Sequence, residues 1–199
     1  LDGRIGSKFL HPGPGYGGSC FPKDTMAFVK IASDHGVPSR IVDAVVKINE
    51  ERKIKMVGKI IKCAGGSVAG KCIAVLGVSF KPNTDDVRES ASLTILPALQ
   101  NDGAVIQAFD PEGMDEGKKF LSNVNWCENS YQAMENADIL VILTEWNQFR
   151  ALDLSRVKKL LKSPVIVDLR NIYDPDAMLA EGFKYYCIGR PVSGVDSEE

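Results

Sequence analysis

Between residues 72 and 188 the chain alternates short, continuous apolar runs with amphipathic stretches, and this alternation constrains the fold more than any other feature. The apolar runs cover residues 72–77, 105–109, 139–143, 165–169 and 185–188. Each has the length of a strand rather than a helix. Each is apolar at successive positions, so both faces of the strand must be covered. Helical patterns at 91–101, 131–136, 154–161 and 175–181 separate the runs. Strand and helix in succession imply a parallel sheet with helices on both faces. Pro97 falls within the first of these helices, where it kinks the helix or marks its early turns. The fold class is α/β: a long central helix followed by a Rossmann-like parallel-sheet domain.

The first 65 residues have a different character. Residues 1–21 are rich in Gly and Pro, and Phe9, Tyr16 and Phe21 can anchor them as an ordered loop. A helix starts near Pro22, which suits a first turn, with Asp24 complementing the dipole; His35-Gly36 stops it. Ser39 is placed to cap a long helix running to about Cys63. Ile41, Val42, Val45, Val46 and Ile48 make an apolar face that resumes at Ile54, Val57, Ile60 and Ile61. The turn between them, Asn49-Glu50-Glu51-Arg52-Lys53, is polar all round. At ~1.5 Å per residue this helix spans roughly 38 Å. It joins two domains or packs against a second copy; the alternative is a surface helix with a solvated middle turn. Gly65-Gly66 and Gly70 mark a boundary. The expected organisation is a loop with central helices at 1–65, a sheet domain at 66–192 and a frayed polar tail at 193–199.

Composition narrows the function. The net charge of −2 over 199 residues argues against a nucleic-acid binder, and no apolar run approaches the ~20 residues of a membrane span. The five cysteines are scattered without a C-x-x-C, which fits neither a disulfide framework nor a zinc site and points to a reduced, cytoplasmic compartment. The opening Leu1-Asp2-Gly3-Arg4 carries no Met and no signal-peptide pattern, so the chain reads as a piece of a longer one.

Ligands of a doubly wound sheet sit at the C-terminal strand ends. A long polar loop, residues 78–90, follows the first strand, with Lys81 and Arg88 on it; Arg170 follows the strand at 165–169. Three cations on one edge suit an anionic ligand such as a nucleotide diphosphate, or they are surface charges paired with Asp85, Asp86 and Glu89. Gly13-Pro14-Gly15-Tyr16-Gly17-Gly18 matches G-x-G-x-x-G, but no strand precedes it, so it is not a dinucleotide fingerprint. Cys20 is the sharper candidate. It follows glycines and precedes a helix start with Lys23 one turn on, and dipole and cation both favour a thiolate. Asp24 can orient a water, although its charge opposes the thiolate. A lone Cys is otherwise a packing residue, as expected of Cys72 and Cys187. His11 can touch a substrate from the Gly/Pro loop, His35 belongs to a helix end, and Trp126 and Trp146 to packing. Spacing assigns Arg4 no role.

At this point the sequence resembles a known family. Residues 15–24, Gly-Tyr-Gly-Gly-Ser-Cys-Phe-Pro-Lys-Asp, are similar to the active-site segment of the UDP-glucose 6-dehydrogenases, within the UDP-glucose/GDP-mannose dehydrogenases. Asp2-Gly3-Arg4-Ile5-Gly6 and Phe9-Leu10 resemble its lead-in. Residues 80–90, from Phe80-Lys81-Pro82-Asn83 to Arg88-Glu89-Ser90, resemble a second signature. Thr144-Glu145-Trp146 with Phe149 and Leu152-Asp153 resembles a third. The likeness runs to about Pro191.

The resemblance implies an N-terminal NAD-binding domain, missing from this chain, then a central helix used in homodimerisation and a C-terminal Rossmann-like domain that binds UDP. It implies that UDP-glucose is oxidised to UDP-glucuronate in two hydride transfers to NAD, through a thiohemiacetal and a thioester on Cys20, with Asp24 aiding water and proton transfer. Phe9, Leu10, His11, Pro12, Gly13, Gly17, Phe80, Lys81 and Arg170 are placed to contact the substrate, and Lys23 and Arg88 to face NAD. Arg4 is placed to reach the substrate of the partner subunit. His11 departs from the lysine that some members carry. UDP-N-acetylmannosamine enzymes usually resemble G-G-H-C where this chain has Gly18-Ser19-Cys20, and GDP-mannose enzymes tend towards Leu where it has Phe21. Taken alone, the 199 residues are expected to give no turnover, and they can instead be read as a UDP-binding and dimerising module.

Overall fold

A computed structural model of the chain describes Gly6 and residues 10–190. The expectations for Arg4, Phe9 and the 193–199 tail lie outside the described residues. Two helices come first, α1 (Phe21–Asp34) and α2 (Arg40–Cys63). The alternating part follows: β1 (Cys72–Leu76), α3 (Ser92–Asn101), β2 (Val105–Phe109), α4 (Met114–Gly117), β3 (Val124–Trp126), α5 (Ser130–Met134), β4 (Ile139–Ile142), α6 (Asn147–Arg150), α7 (Leu154–Leu160), β5 (Val165–Asp168), α8 (Pro175–Ala180) and β6 (Lys184–Tyr186).

The six strands form one parallel sheet in the order β3-β2-β1-β4-β5-β6, the doubly wound arrangement expected from the alternation. The sequence reading missed β3, α4 and α6. Val124-Asn125-Trp126 is a three-residue edge strand with an exposed centre, so it shows no continuous apolar run, and four-residue helices are too short to display a 3.6-residue period.

Strand alternation sorts the core into two clusters. Ile73 and Val75 of β1, with Val141 of β4 and Val167 of β5, meet Ile95, Leu96 and Leu99 of α3 and Val57 and Ile60 of α2. Ala74, Leu76, Leu140, Ile142 and Ile166 face the other way, against Met134, Phe149, Val157 and Met178. This is why the runs are apolar at every position rather than every second one. Pro97 is the sixth residue of α3, inside the helix rather than in its first turn. Cys187 is buried as a packing residue; Cys72 is only partly buried beside the second cluster.

The long helix corrects its sequence reading. Ser39 occupies the cap position, but its hydroxyl caps nothing. The middle turn is solvated on one side only: Glu50 and Glu51 face water, but Asn49 is 4% and Lys53 2% exposed. Ile41, Val45, Ile48 and Ile54, read as an apolar face, are exposed in this chain. The burial pattern of α2 is thus polar at its centre and apolar only in its last turns, at Val57 and Ile60. No helix among the described residues is long and apolar enough to cross a membrane.

Candidate active site

All strands end on one edge, and the winding reverses between β1 and β4, so the crevice suited to a ligand lies above these two. The loop after β1 forms one wall, tied down from below. Asp110, fully buried at the end of β2, accepts the N–H groups of Val78 (2.7 Å) and Ser79 (3.0 Å) and the Ser79 hydroxyl (3.0 Å). The same oxygen takes the Trp146 indole N–H at 3.3 Å, while the other accepts from Glu112 (3.0 Å) and Gly113 (2.7 Å). The hydroxyls of Ser90 and Ser92 both donate to the Val78 carbonyl at 2.7 Å, and Thr144 Oγ1 donates to the Ser79 carbonyl at 2.6 Å. An acidic residue at the end of β2 is where a dinucleotide fold grips a ribose. Here those oxygens hold the loop instead. Phe80 leads the turn, its N–H bonded to the Asp86 carbonyl (3.1 Å), and the Lys81 ammonium lies 5.2 Å from its ring centroid.

The glycine-rich segment forms the facing wall. Gly18 donates its N–H to the Arg88 carbonyl at 2.8 Å. Its φ is +90°, and a Cβ there would sit 2.8 Å from the Phe80 ring, so only glycine permits this approach. A Cβ on Gly17 would collide with the Glu89 carbonyl. Further back, Arg52 Nε donates to the Gly13 carbonyl at 2.6 Å, and Gly13 lies against the Arg170 guanidinium. Asn49 bonds both backbone groups of Tyr16, and the Tyr16 ring meets Phe21 edge-on at 4.7 Å.

Cys20 is exposed at the cap position of the fourteen-residue α1, with the Asp24 N–H donating to its carbonyl at 2.8 Å. Ser19 Oγ is 3.6 Å from its Sγ. A helix N-terminus is a favourable place for negative charge. Lys23 pairs with Asp24 at 3.4 Å, both exposed.

The three cations of the ligand edge differ in their partners. Arg88 takes Asp86 in a two-point pair (2.8 and 2.9 Å), the surface pairing that the sequence offered as the alternative. Its guanidinium is held above its usual range by those hydrogen bonds and by the charge of Asp86. The same pair holds the Asp86 carboxyl below the usual carboxylate range. Arg170 is paired with Glu145, and both side chains are mostly buried. Lys81 makes no ion pair among the described residues. The Arg170 backbone is fixed by Asp168, which accepts the backbone N–H groups of Arg170 (2.8 Å) and Ile172 (2.7 Å) and the Tyr185 hydroxyl (2.6 Å). Burial, reinforced by Asp168, pushes the Tyr185 hydroxyl well above its ordinary range, so it stays a donor.

Residues 74–175 match the UDP binding domain of the UDP-glucose/GDP-mannose dehydrogenase family, and residues 1–51 match its central domain. The chain belongs to that family. It is 54% identical over 96% of its length to a UDP-glucose 6-dehydrogenase of Rhizobium meliloti (strain 1021) and 46% identical over 96% to UDP-glucose 6-dehydrogenase TuaD of Bacillus subtilis (strain 168). A UDP-glucose dehydrogenase from the hyperthermophilic archaeon Pyrobaculum islandicum superposes with a TM-score of 0.77 at 34% identity, covering 94% of this chain and 40% of that one. The chain spans 44% and 41% of the lengths of the two bacterial relatives.

Within this UDP-glucose/GDP-mannose dehydrogenase fold the structure brings together Gly13 with Arg170, Gly17 and Gly18 with Phe80, and Arg88 with the cysteine-bearing segment. Leu10, His11 and Pro12 are exposed at the start of that segment. Sequence reading gave no site role to Asn49, Arg52, Lys53, Asp110 or Glu145; Glu89 entered it as a surface partner of the ligand-edge cations and instead lies 3.8 Å from Lys53. The first three could have been found: polar residues at i, i+3 and i+4 inside an apolar-faced helix share a face and need a polar partner.

Proposed function

We propose that these residues form the cysteine-bearing and nucleotide-binding part of an NAD-dependent enzyme that oxidises UDP-glucose to UDP-glucuronate. The observation that carries the reading is Cys20, exposed at a helix start on a glycine-rich segment locked against the loop above β1. The 54% identity to a UDP-glucose 6-dehydrogenase supports the substrate. Leu10, His11, Pro12, Gly13, Gly17, Phe80, Lys81 and Arg170 surround the nucleotide sugar in this reading, with Arg170 shared between its diphosphate and Glu145.

The fit to a nicotinamide dinucleotide is at its edge. Arg88 borders a groove of about 260 Å³ that Phe120, Val87, Asp85, Asp86 and Glu116 also line. A cation and an aromatic ring there suit one end of the cofactor, and Lys23 is assigned to the same cofactor in this reading. The loop after β1 has no glycine-rich turn to cradle a diphosphate, so the rest of the cofactor needs residues beyond those described. When bound, the nicotinamide accepts the hydride in each oxidation.

This chain's own residues supply the covalent chemistry. Cys20 Sγ attacks the carbon of the C6 aldehyde; the C–S bond forms as the carbonyl pair moves to oxygen and takes a proton. Once that carbon is at the thioester level, water adds and the thiolate leaves with the C–S pair. Asp24, one turn along α1 from Cys20, orients that water and takes its proton. Homodimerisation through the exposed Ile41, Val45 and Ile48 face of α2 belongs to the same reading. So do the division into 1–65 and 66–192 and a cytoplasmic location.

The test counts NADH per UDP-glucose at the end point in the full-length protein carrying this sequence. Two are expected, with the second lost in Cys20→Ser. One NADH per sugar in the unmodified protein overturns the four-electron reading. Turnover of GDP-mannose in place of UDP-glucose would replace the substrate and keep the chemistry. The 199 residues alone are expected to give no NADH.

A further inference from the structure

The polar turn of α2 has no part in the reaction above, yet it holds the most buried polar side chains of that helix. Asn49 Oδ1 accepts the Tyr16 N–H at 2.8 Å, and Asn49 Nδ2 donates to the Tyr16 carbonyl at 3.2 Å. One side chain thus satisfies both backbone groups of one residue, which requires an acceptor and a donor on the same planar head. Among side chains of this length only Asn carries both.

From Tyr16 the connection to the cysteine is short. Gly17 and Gly18 bring no side chain, and Phe21 is the residue after Cys20 and the first of α1. The Tyr16 and Phe21 rings meet at 4.7 Å with their planes 83° apart, so the two residues that bracket the Gly-Gly-Ser-Cys run touch each other. The same turn also holds the opposing wall. Lys53 pairs with Glu50 at 2.9 Å and reaches Glu89 at 3.8 Å, and the Glu89 backbone lies against Gly17. Arg52 fixes Gly13 at 2.6 Å.

We propose that Asn49 is the positioning residue for Cys20, acting through the Tyr16 backbone and the Tyr16–Phe21 ring contact. The proposal rests on the reading of Cys20 as the nucleophile. Asn49 touches neither substrate nor thiol. It fixes where the bend between Tyr16 and Phe21 begins, and so where the cap residue of α1 stands relative to Arg88 and Phe80.

The experiment follows alkylation of Cys20 by iodoacetamide across neutral to alkaline pH, resolved peptide by peptide from the other four cysteines. Cys63, whose thiol burial pushes up to about 11, is the internal reference. In the unmodified chain Cys20 reacts far faster than Cys63. Asn49→Ala, which removes both bonds to Tyr16, is expected to change the Cys20 rate by more than the factor of about five that one hydrogen bond carries, and to displace its pH profile while Cys63 is unaffected. Asn49→Asp, which keeps the acceptor and loses the donor, falls between. Tyr16→Leu removes the ring contact but leaves the backbone clamp. It shifts the profile the same way, and combining it with Asn49→Ala adds less than the sum of the two. A Cys20 profile unchanged in Asn49→Asp and in Tyr16→Leu overturns the positioning role, even if Asn49→Ala fails to fold. A Cys20 that reacts no faster than Cys63 in the unmodified chain overturns the nucleophile reading, a result the variants cannot mimic.

Discussion

Replacing Asp110 by Asn tests whether this carboxylate is the scaffold of the ligand edge. Its two oxygens are unequally loaded: one accepts from Val78, Ser79 N–H, Ser79 Oγ and Trp146, the other from Glu112 and Gly113. An Asn amide has only one acceptor oxygen. The lower-energy orientation keeps the oxygen on the four-donor side and turns the NH2 towards Glu112 and Gly113. Two backbone N–H groups then face a donor. At about 1.5 kcal/mol for each lost bond to a charged acceptor, the cost is about 3 kcal/mol. For a chain of this size that is a fall of about 6–12 °C in melting temperature. Asp110→Ala orphans all six donors and should fall further. Thermal melts by circular dichroism read the order, and hydrogen exchange locates it. In the Asn variant the Glu112 and Gly113 amides lose protection while Val78 and Ser79 keep it. An Asn variant that melts within a degree of the parent, or one that frees Val78 first, would show that the load is not distributed as the distances state.

Three further outcomes follow from the same geometry. The Arg88 hydrogen bonds depress the Asp86 carboxyl, so the folded form gains stability from this pair above the ordinary carboxylate range; the gain disappears as the pH falls through and below about 4. Arg88→Met should remove that acid-side contribution and leave a shallower decline in acid melts. Arg170→Ala should weaken binding of UDP by roughly tenfold or more, the worth of a hydrogen bond to a charged group, read by calorimetry; unchanged affinity would remove Arg170 from the ligand edge. Ile48→Glu on the exposed face of α2 should shift a dimer towards monomer in light scattering, without lowering the melting temperature of the sheet.

The sheet was legible in the sequence because a parallel strand buried on both faces leaves a continuous apolar run, and each of the five runs became a strand. β3 was not legible, since an edge strand with Asn125 outward carries no such signal. The helix start beside Cys20 was legible through its neighbours: a proline at the second helix position and a first-turn acid are local signals, and each is realised at the start of α1. The partners of the cations were only half legible. Asp86 lies two residues from Arg88 and could be guessed, while Glu145 meets Arg170 across the β4 and β5 ends, a proximity only the sheet order supplies.

The central turn of α2 shows why such gaps arise. Read on the helix alone, Asn49-Glu50-Glu51-Arg52-Lys53 is a solvated break in an amphipathic pattern, since polar side chains are assumed to face water. In the fold the break faces a loop that arrives from more than thirty residues earlier and that has no secondary structure of its own. A glycine-rich segment cannot satisfy its backbone with a ladder, so it needs side chains to do so. The helix that receives it must therefore carry buried polar side chains at the turn the loop meets. The apolar stretches on either side then serve different surfaces: Val57 and Ile60 enter the core of the sheet, and Ile41, Val45 and Ile48 remain outside it. One helix thus carries a core contact, a loop-holding turn and an uncovered face in succession. A periodicity argument that averages along its length cannot separate them.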